Sequence, residues 1–280
     1  MLPRFIAFLT LVGIVLSMPI EEQDDDEEEG LRIVCPEDGV NPCFATGHET
    51  FGIINEGDII ETIKKAMDGD DEERNALIDK ERLWDKGVVP YIYHQQFSAR
   101  DKARIEAAMT IIEKNTCIKF KQYEKGNSEQ ALVFITRLRG CRATVGYKLS
   151  RKRHNLNLHP LGCLGRSGTI IHEMLHVLGL KHEHARPDRD NYVAIMWKNI
   201  KDGHQKNFVK GSDKEFTTFD IPYNYKSVMH YPAVSFSKNG EPTILPLDPT
   251  VDISILGQRK EVTKLDLEKI NRMYKCKKHL

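Results

Sequence analysis

The chain has 280 residues with 41 basic and 41 acidic side chains, so its formal net charge is zero. Its only long apolar run lies at the N-terminus, which excludes a protein built from several membrane-spanning helices. Six cysteines are present without a Cys-x-x-Cys pair, which argues against a zinc ribbon.

The charges are unevenly divided along the chain. Residues 1–74 carry 19 acidic and 5 basic side chains, whereas residues 75–280 carry 22 acidic and 36 basic ones. Eight of the nine residues at 21–29 are acidic, and such a run is normally disordered. The division suggests an acidic pro-segment held over a basic body, although a solvated acidic tail is an equally simple explanation. Nucleic-acid binding by the basic part is a weaker third reading.

Residues 1–17 are expected to form a signal peptide. Arg4 precedes an apolar run at 5–16, and small residues near Ser17 suit cleavage. A membrane anchor is the alternative, but the run is short and an acidic block follows it. We therefore expect a secreted, extracellular protein without a membrane anchor. Its cysteines can then form disulfides, and six cysteines allow about 15 pairings, which the sequence alone leaves open.

Residues 18–74 are expected to form an acidic pro-segment, and 75–280 a single globular domain with a substantial core. The charged stretch at 70–74 is a suitable place for proteolytic processing after Arg74.

Within the domain, a first half of mixed helices and strands is predicted. Residues 88–93 read as a strand, and Pro90 favours an edge position for it. Ser98 and Asp101 form a capping box that opens a helix with apolar residues at 105, 108, 109 and 112. Further strands are predicted at 118–120, 131–136 and 144–149, and a short edge strand at 156–158, along which a substrate could lie extended.

The second half, 184–280, is rich in prolines and is expected to be irregular. Thr263 and Asp266 cap a final helix with Leu267, Ile270 and Met273 on its apolar face.

Between the two halves lies the pattern His172-Glu173-x-x-His176-x-x-Gly179-x-x-His182. In a helix over 170–178 the first two histidines lie one turn apart on one face, where both can reach a single ion. Gly179 can end the helix and let the chain return with His182 as a third ligand. Three histidines leave the fourth zinc position open, and Glu173 lies where it can contact a water there. A chance match is the alternative, but burying three histidines and a glutamate without such a role would be costly.

The motif continues as Glu-His-Ala-Arg-Pro-Asp-Arg-Asp at 183–190, and Ser-Val-Met-His-Tyr follows at 227–231. Together these motifs resemble the astacin family of secreted zinc endopeptidases, within the metzincins, over essentially all of 75–280. Leu180, where the family usually has Phe, and Pro187 are small departures from its pattern. The resemblance implies an α+β, metzincin-like two-lobed catalytic domain. Its N-terminal lobe would hold a mixed sheet with helices, its C-terminal lobe would be irregular, and zinc would lie in the cleft between them.

The resemblance also implies roles for individual residues. The zinc ligands would be His172, His176 and His182, with one ion per subunit, and Glu173 would be the general base. Tyr231 would be a fifth, exchangeable ligand that also stabilises the oxyanion, and Met229 would form a tight turn beneath the metal. Met229 could equally be plain core packing, and the two readings largely coincide.

Activation and cross-linking follow from the same resemblance. Glu183 would pair through water with a new N-terminus at Asn75, released by cleavage after Arg74; an ordinary surface ion pair is the alternative. Asp58, at the end of a weakly matching Glu-Gly-Asp motif, would ligate zinc in the zymogen, although a simple turn would also explain it. The implied disulfides are Cys117–Cys276 and Cys141–Cys163, and the remaining Cys35 and Cys43 could pair with each other.

The sequence therefore predicts a secreted zinc endopeptidase made as a zymogen, which acts on protein or peptide substrates and is activated by another protease near Arg74. We expect a monomer without nucleic-acid partners. An inactive zinc-binding scaffold is the main alternative, and a zinc hydrolase of non-protein substrates is a further one.

Overall fold

A computed structural model describes residues 82–123, 140–148, 154–211 and 217–277. It also gives the backbone of strand residues 32–34, 44–46, 52–55, 59–62, 132–136 and 153. Among these residues, no helix is both long and apolar enough to cross a membrane.

Three α-helices carry the described part of the chain. They are α1 (Ala99–Asn115), α2 (Ser167–Val177) and α3 (Lys264–Tyr274). Capping boxes open α1 at Ser98 and α3 at Thr263, as predicted, because each side chain accepts a backbone N–H that the first turn leaves unbonded. The predicted apolar faces of both helices are buried.

Nine strands form one mixed sheet in the order β1-β2-β3-β4-β8-β9-β7-β5-β6. The strands are β1 (Arg32–Val34), β2 (Phe44–Thr46), β3 (Gly52–Asn55), β4 (Ile59–Thr62), β5 (Val88–Tyr93), β6 (Lys119–Gln122), β7 (Leu132–Thr136), β8 (Cys141–Ala143) and β9 (Arg153–Leu158). Strands β6, β5, β7 and β9 run parallel, and β8 pairs antiparallel with β9. A separate pair, β10 (Val193–Ile195) and β11 (Ile244–Pro246), belongs to the second half.

The prediction of an edge position for β5 was wrong. This strand lies between β7 and β6. Consecutive residues of a strand direct their backbone groups to opposite neighbours. The carbonyl of Tyr91 accepts a hydrogen bond from the N–H of Tyr123 on the β6 side, so the backbone groups of Pro90 point toward β7. Pairing with β7 begins only at Tyr91. The missing proline N–H therefore interrupts no hydrogen bond between the strands.

Two further strand predictions were also wrong. The strand expected at 144–149 is β8 at 141–143, because the chain then leaves the sheet at Gly146 (φ 64°), whose N–H donates to the carbonyl of His176. The strand at 156–158 is not an edge strand, since β9 has β7 on one side and β8 on the other. On that side of the sheet the outer strand of the domain is β8, and β4 of the N-terminal segment pairs with it.

Two hydrophobic cores correspond to two lobes. The larger joins the sheet, α1, α2 and α3, and includes Met229. The smaller, around Phe208 and Tyr231, holds the irregular second half together. Because Met229 and Tyr231 are two residues apart, the segment that joins them lies where the cores meet.

Candidate metal centre

Helix α2 brings two histidines to one buried face. His172 and His176 lie one turn apart with ring centroids 4.7 Å from each other. The helix ends at Gly179, whose φ of 111° suits only glycine, and the N–H of Leu180 bonds back to Leu175. The chain thereby returns His182 to the same place, 4.7 Å from the ring of His176.

The three buried histidines form a group that fits a metal ion. Their ligand atoms all lie within 4.8 Å of one another. The Nδ1 atom of His172 donates to the Val228 carbonyl, and that of His176 to the Leu180 carbonyl, each at 2.7 Å. Because a carbonyl can only accept, Nδ1 carries the proton in both rings and Nε2 is the atom left for a metal. Three neutral imidazoles are a zinc donor set that leaves a coordination position open.

Glu173 and Tyr231 lie beside this group. Glu173 follows His172 on α2 and is 2% exposed. The Tyr231 ring is 4.5 Å from that of His182 and stacks at 4.0 Å on that of His184, a residue for which the sequence indicates no role. His184 is held in turn by a hydrogen bond from Nε2 to the Asn207 carbonyl, at 3.0 Å. Tyr231 is thus packed against both the third histidine and His184.

Met229 occupies a tight turn next to the histidines. The N–H of His230 donates to the Ser227 carbonyl across this turn, and the Met229 carbonyl accepts the N–H of Glu183. The methionine is 1% exposed and belongs to the larger core, so the turn and core-packing readings apply together.

Glu183 lies at the centre of a buried ion cluster. Its carboxylate accepts from Lys269 Nζ on α3, from Arg186 at 3.1 Å and from the N–H of Asn224 at 3.0 Å. Arg186 also forms a two-bonded pair with Asp188, at 2.8 and 2.9 Å. The ordinary surface ion pair considered for Glu183 is therefore wrong, because the residue is 2% exposed. Lys269 was missed, because a lysine on an otherwise amphipathic helix gives no signal of burial.

Disulfides join Cys117 to Cys276 and Cys141 to Cys163. The first ties the end of α1 to the end of α3, and the second ties β8 to the loop before α2. Five other predicted site residues, Cys35, Cys43, Asp58, Arg74 and Asn75, lie outside the described residues, as does the signal peptide.

Comparison with known proteins gives the family. The model of the astacin family of peptidases matches residues 76–275. The chain belongs to the astacin family. It is a zinc metalloendopeptidase, a hydrolase that acts on proteins, and its α+β fold is that of the family.

Individual astacin relatives agree with this assignment. Seminal metalloprotease 1 of Drosophila melanogaster is 39% identical over 212 residues, which cover 74% of this chain and 83% of the relative. Zinc metalloproteinase nas-7 of Caenorhabditis elegans is 32% identical and covers 99% of this chain and 71% of its own length. Among solved structures, the hatching enzyme zinc-protease HCE-1 of Oryzias latipes has a TM-score of 0.60 at 32% identity, over 69% of this chain and 93% of that one.

Proposed function

We propose that this astacin is secreted as a zymogen, that His172, His176 and His182 hold one zinc ion per subunit, and that Glu173 is its general base. The observation that carries the proposal is the buried convergence of the three histidines, with ligand atoms within 4.8 Å, beside a buried glutamate on the same helix. We also propose that it acts as a monomer on protein or peptide substrates, without nucleic-acid partners.

Each residue then has a distinct task in peptide hydrolysis. Zinc, when bound, polarises the substrate carbonyl and lowers the pKa of water. Glu173 accepts a proton from the attacking water and passes it to the leaving amine nitrogen. Tyr231 would serve as a fifth, exchangeable ligand when zinc is bound, and would donate a hydrogen bond from its hydroxyl to the developing oxyanion. The Tyr231 ring stacks on His184, and this contact holds the hydroxyl near the histidine group.

Replacing Glu173 with Gln tests the base. The amide keeps the shape of the side chain but cannot accept the proton, so we expect kcat for a peptide substrate to fall by about 10³-fold. Zinc content, measured by atomic absorption, should stay at one ion per chain. Substantial turnover by E173Q would rule out this base.

A casein assay with and without a chelator measures this activity directly. The wild-type chain, after activation, should cleave casein and lose that activity to a chelator. An inactive scaffold would bind zinc without cleaving casein, and a hydrolase of non-protein substrates would likewise leave casein intact.

The zymogen proposal assigns residues 1–17 to a signal peptide, 18–74 to the pro-segment and 75–280 to the catalytic domain. Strand β4 of the pro-segment pairs parallel with the outer strand β8, at Ile59 and Ala143. This strand edge would otherwise be open to an extended substrate, because backbone groups on an unpaired edge bind a peptide by strand addition. Asp58 directly precedes Ile59 in the sequence, which supports its role as the inhibitory ligand.

Replacing Asp58 with Ala should release measurable peptidase activity from the uncleaved chain, because the carboxylate that blocks the metal is removed. Glu56→Ala, two residues upstream, is the control and should stay as silent as the wild type. The measurement is the rate of cleavage of a quenched fluorescent peptide before and after activation. A silent D58A precursor would mean that the pro-segment inhibits by covering the strand edge alone.

We further propose that another protease cleaves after Arg74 and that the new N-terminus at Asn75 joins the Glu183 cluster through water. Lys269 and Arg186 already contact this carboxylate, so the N-terminal ammonium would be a third cation beside it. N-terminal sequencing of the activated enzyme tests the cleavage site.

A further inference from the structure

The first turn of α3 contains a carboxylate that reaches beyond its own helix. Asp266 is the third helical residue and closes the capping box with Thr263, accepting its N–H at 3.1 Å and its hydroxyl at 2.9 Å. Its residue exposure is 0%. By contrast Asp101, which closes the equivalent box on α1 with Ser98, forms its bonds at the surface. Capping alone therefore does not require the burial of Asp266.

The same carboxylate binds the turn that carries Met229. Its Oδ2 accepts the N–H of Val228 at 3.2 Å, and its Oδ1 accepts the hydroxyl of Ser227. The Ser227 oxygen accepts in turn from the N–H of Met229, at 3.0 Å. The buried Asp266 side chain and the Ser227 hydroxyl therefore hold all three residues of the segment 227–229 in place.

These hydrogen bonds form a relay that runs from Asp266 through Ser227 to the 228–229 peptide and ends at His172, a predicted zinc ligand. The N–H of Met229 and the carbonyl of Val228 belong to the same planar peptide unit. That carbonyl accepts a hydrogen bond from Nδ1 of His172 at 2.7 Å. Ser227 therefore orients the 228–229 peptide through its N–H, and the carbonyl of the same peptide orients the imidazole of His172. Each bond in the chain runs from a donor toward the carboxylate, so the charge of Asp266 increases the acceptor strength of the carbonyl.

We infer that Asp266 is a positioning residue for the metal centre, which acts through Ser227 and the peptide between Val228 and Met229 to fix the tautomer and orientation of His172. The inference rests on the proposed zinc site. Helix α3 would then do more than close the fold, since its first turn would set how firmly the metal is held.

The test uses the full chain loaded with zinc and compares Asp266→Ala with Asp101→Ala. Both substitutions remove the same element of a capping box, but only the first breaks the relay to His172. We expect D266A to release zinc to a chromogenic chelator about 10-fold to 100-fold faster than the wild type, because loss of a partner of a metal-bound histidine typically lowers metal affinity by that factor. D101A should release it within about twofold of the wild-type rate. Chains loaded with Co²⁺ should show an altered visible spectrum for D266A alone.

Ser227→Ala provides the second variant if D266A does not fold. It leaves both capping boxes intact and removes only the hydroxyl between Asp266 and the Met229 N–H, so it too should accelerate zinc release and change the Co²⁺ spectrum. Equal release rates and spectra for S227A, D266A and D101A would overturn the inference. A wild-type chain that binds no zinc would instead overturn the proposed function, so the two failures are distinguishable.

Discussion

A carboxylate removed from water is stable in its ionised form only if other groups replace the lost hydration. Burial by itself raises the pKa of the Glu183 carboxyl, but the charges of Lys269 and Arg186 and the hydrogen bonds from Lys269 and Asn224 outweigh it and lower the pKa. Glu183, next to His182, is therefore held charged by Lys269 of α3 and by Arg186 and Asn224. The sequence places Glu183 directly after a predicted ligand, but it does not indicate Lys269, which is distant along the chain and meets the carboxylate only in the folded protein.

Replacing Lys269 with Met should destabilise the protein by about 3 kcal/mol, because the buried Glu183 loses one of its two cations while the lysine stem is replaced by a similar volume. The measurement is the shift of the denaturant midpoint in equilibrium unfolding. Lys264→Met is the control, since Lys264 is exposed in the first turn of the same helix. Equal stabilities of the two variants would show that Arg186 and Asn224 suffice for the carboxylate.

At the level of elements, the start of α2 is set by how closely another segment approaches it. Gly168 is the second residue of α2, and a Cβ atom built on it would lie 2.4 Å from the carbonyl oxygen of Arg259. Real Cβ atoms do not come so near a backbone oxygen. Gly257, two residues before Arg259, is itself packed against the backbone of Pro232, next to Tyr231, so this segment approaches both α2 and the second lobe without intervening side chains.

Replacing Gly168 with Ala should have two opposite effects on stability. Alanine is the better helix former by about 1 kcal/mol, but the clash with Arg259 must be relieved by moving backbone, which typically costs about 1–3 kcal/mol. We expect net destabilisation and weaker peptidase activity, measured as a lower melting temperature and a lower kcat/KM. Gly165→Ala is the matched control, since its Cβ would meet nothing within 4 Å. A G168A protein as stable as G165A would show that the two segments separate at little cost.

The sequence predicts elements well where the signal is local. The capping boxes at Ser98 and Thr263, and the histidine spacing on α2, depend on neighbours within a turn, and the structure has those helices where they are expected. Strand neighbours depend on contacts that are distant in sequence, so the interior place of Pro90 and of Leu156 was not predictable. The role of Asp266 is of this second kind, because its box is local but its bond to Val228 is not.

At the scale of the whole molecule, the described residues form two cores that share few regular elements. Its second lobe, where the structure describes it, has the short strand pair β10 and β11 and several 3-10 helices of three or four residues, and irregular segments around Phe208 and Tyr231 join them. Such segments have no periodic signal, which is why the sequence predicted irregularity but no architecture. Helix α3, although last in the chain, packs Ile270 and Met273 into the first core. The two ends of the domain are therefore mutually dependent.

The disulfides should reflect that dependence in their unequal contributions to stability. The bridge between Cys117 and Cys276 spans 159 positions, whereas that between Cys141 and Cys163 spans 22. If a cross-link acts mainly by restricting the unfolded chain, replacing the first pair with serines should cost about 5 kcal/mol and replacing the second about 3 kcal/mol. Equilibrium unfolding of both double variants, without reductant, measures the difference. The reverse order would mean that local anchoring of β8, the strand that pairs with the pro-segment, contributes more than restriction of the unfolded chain.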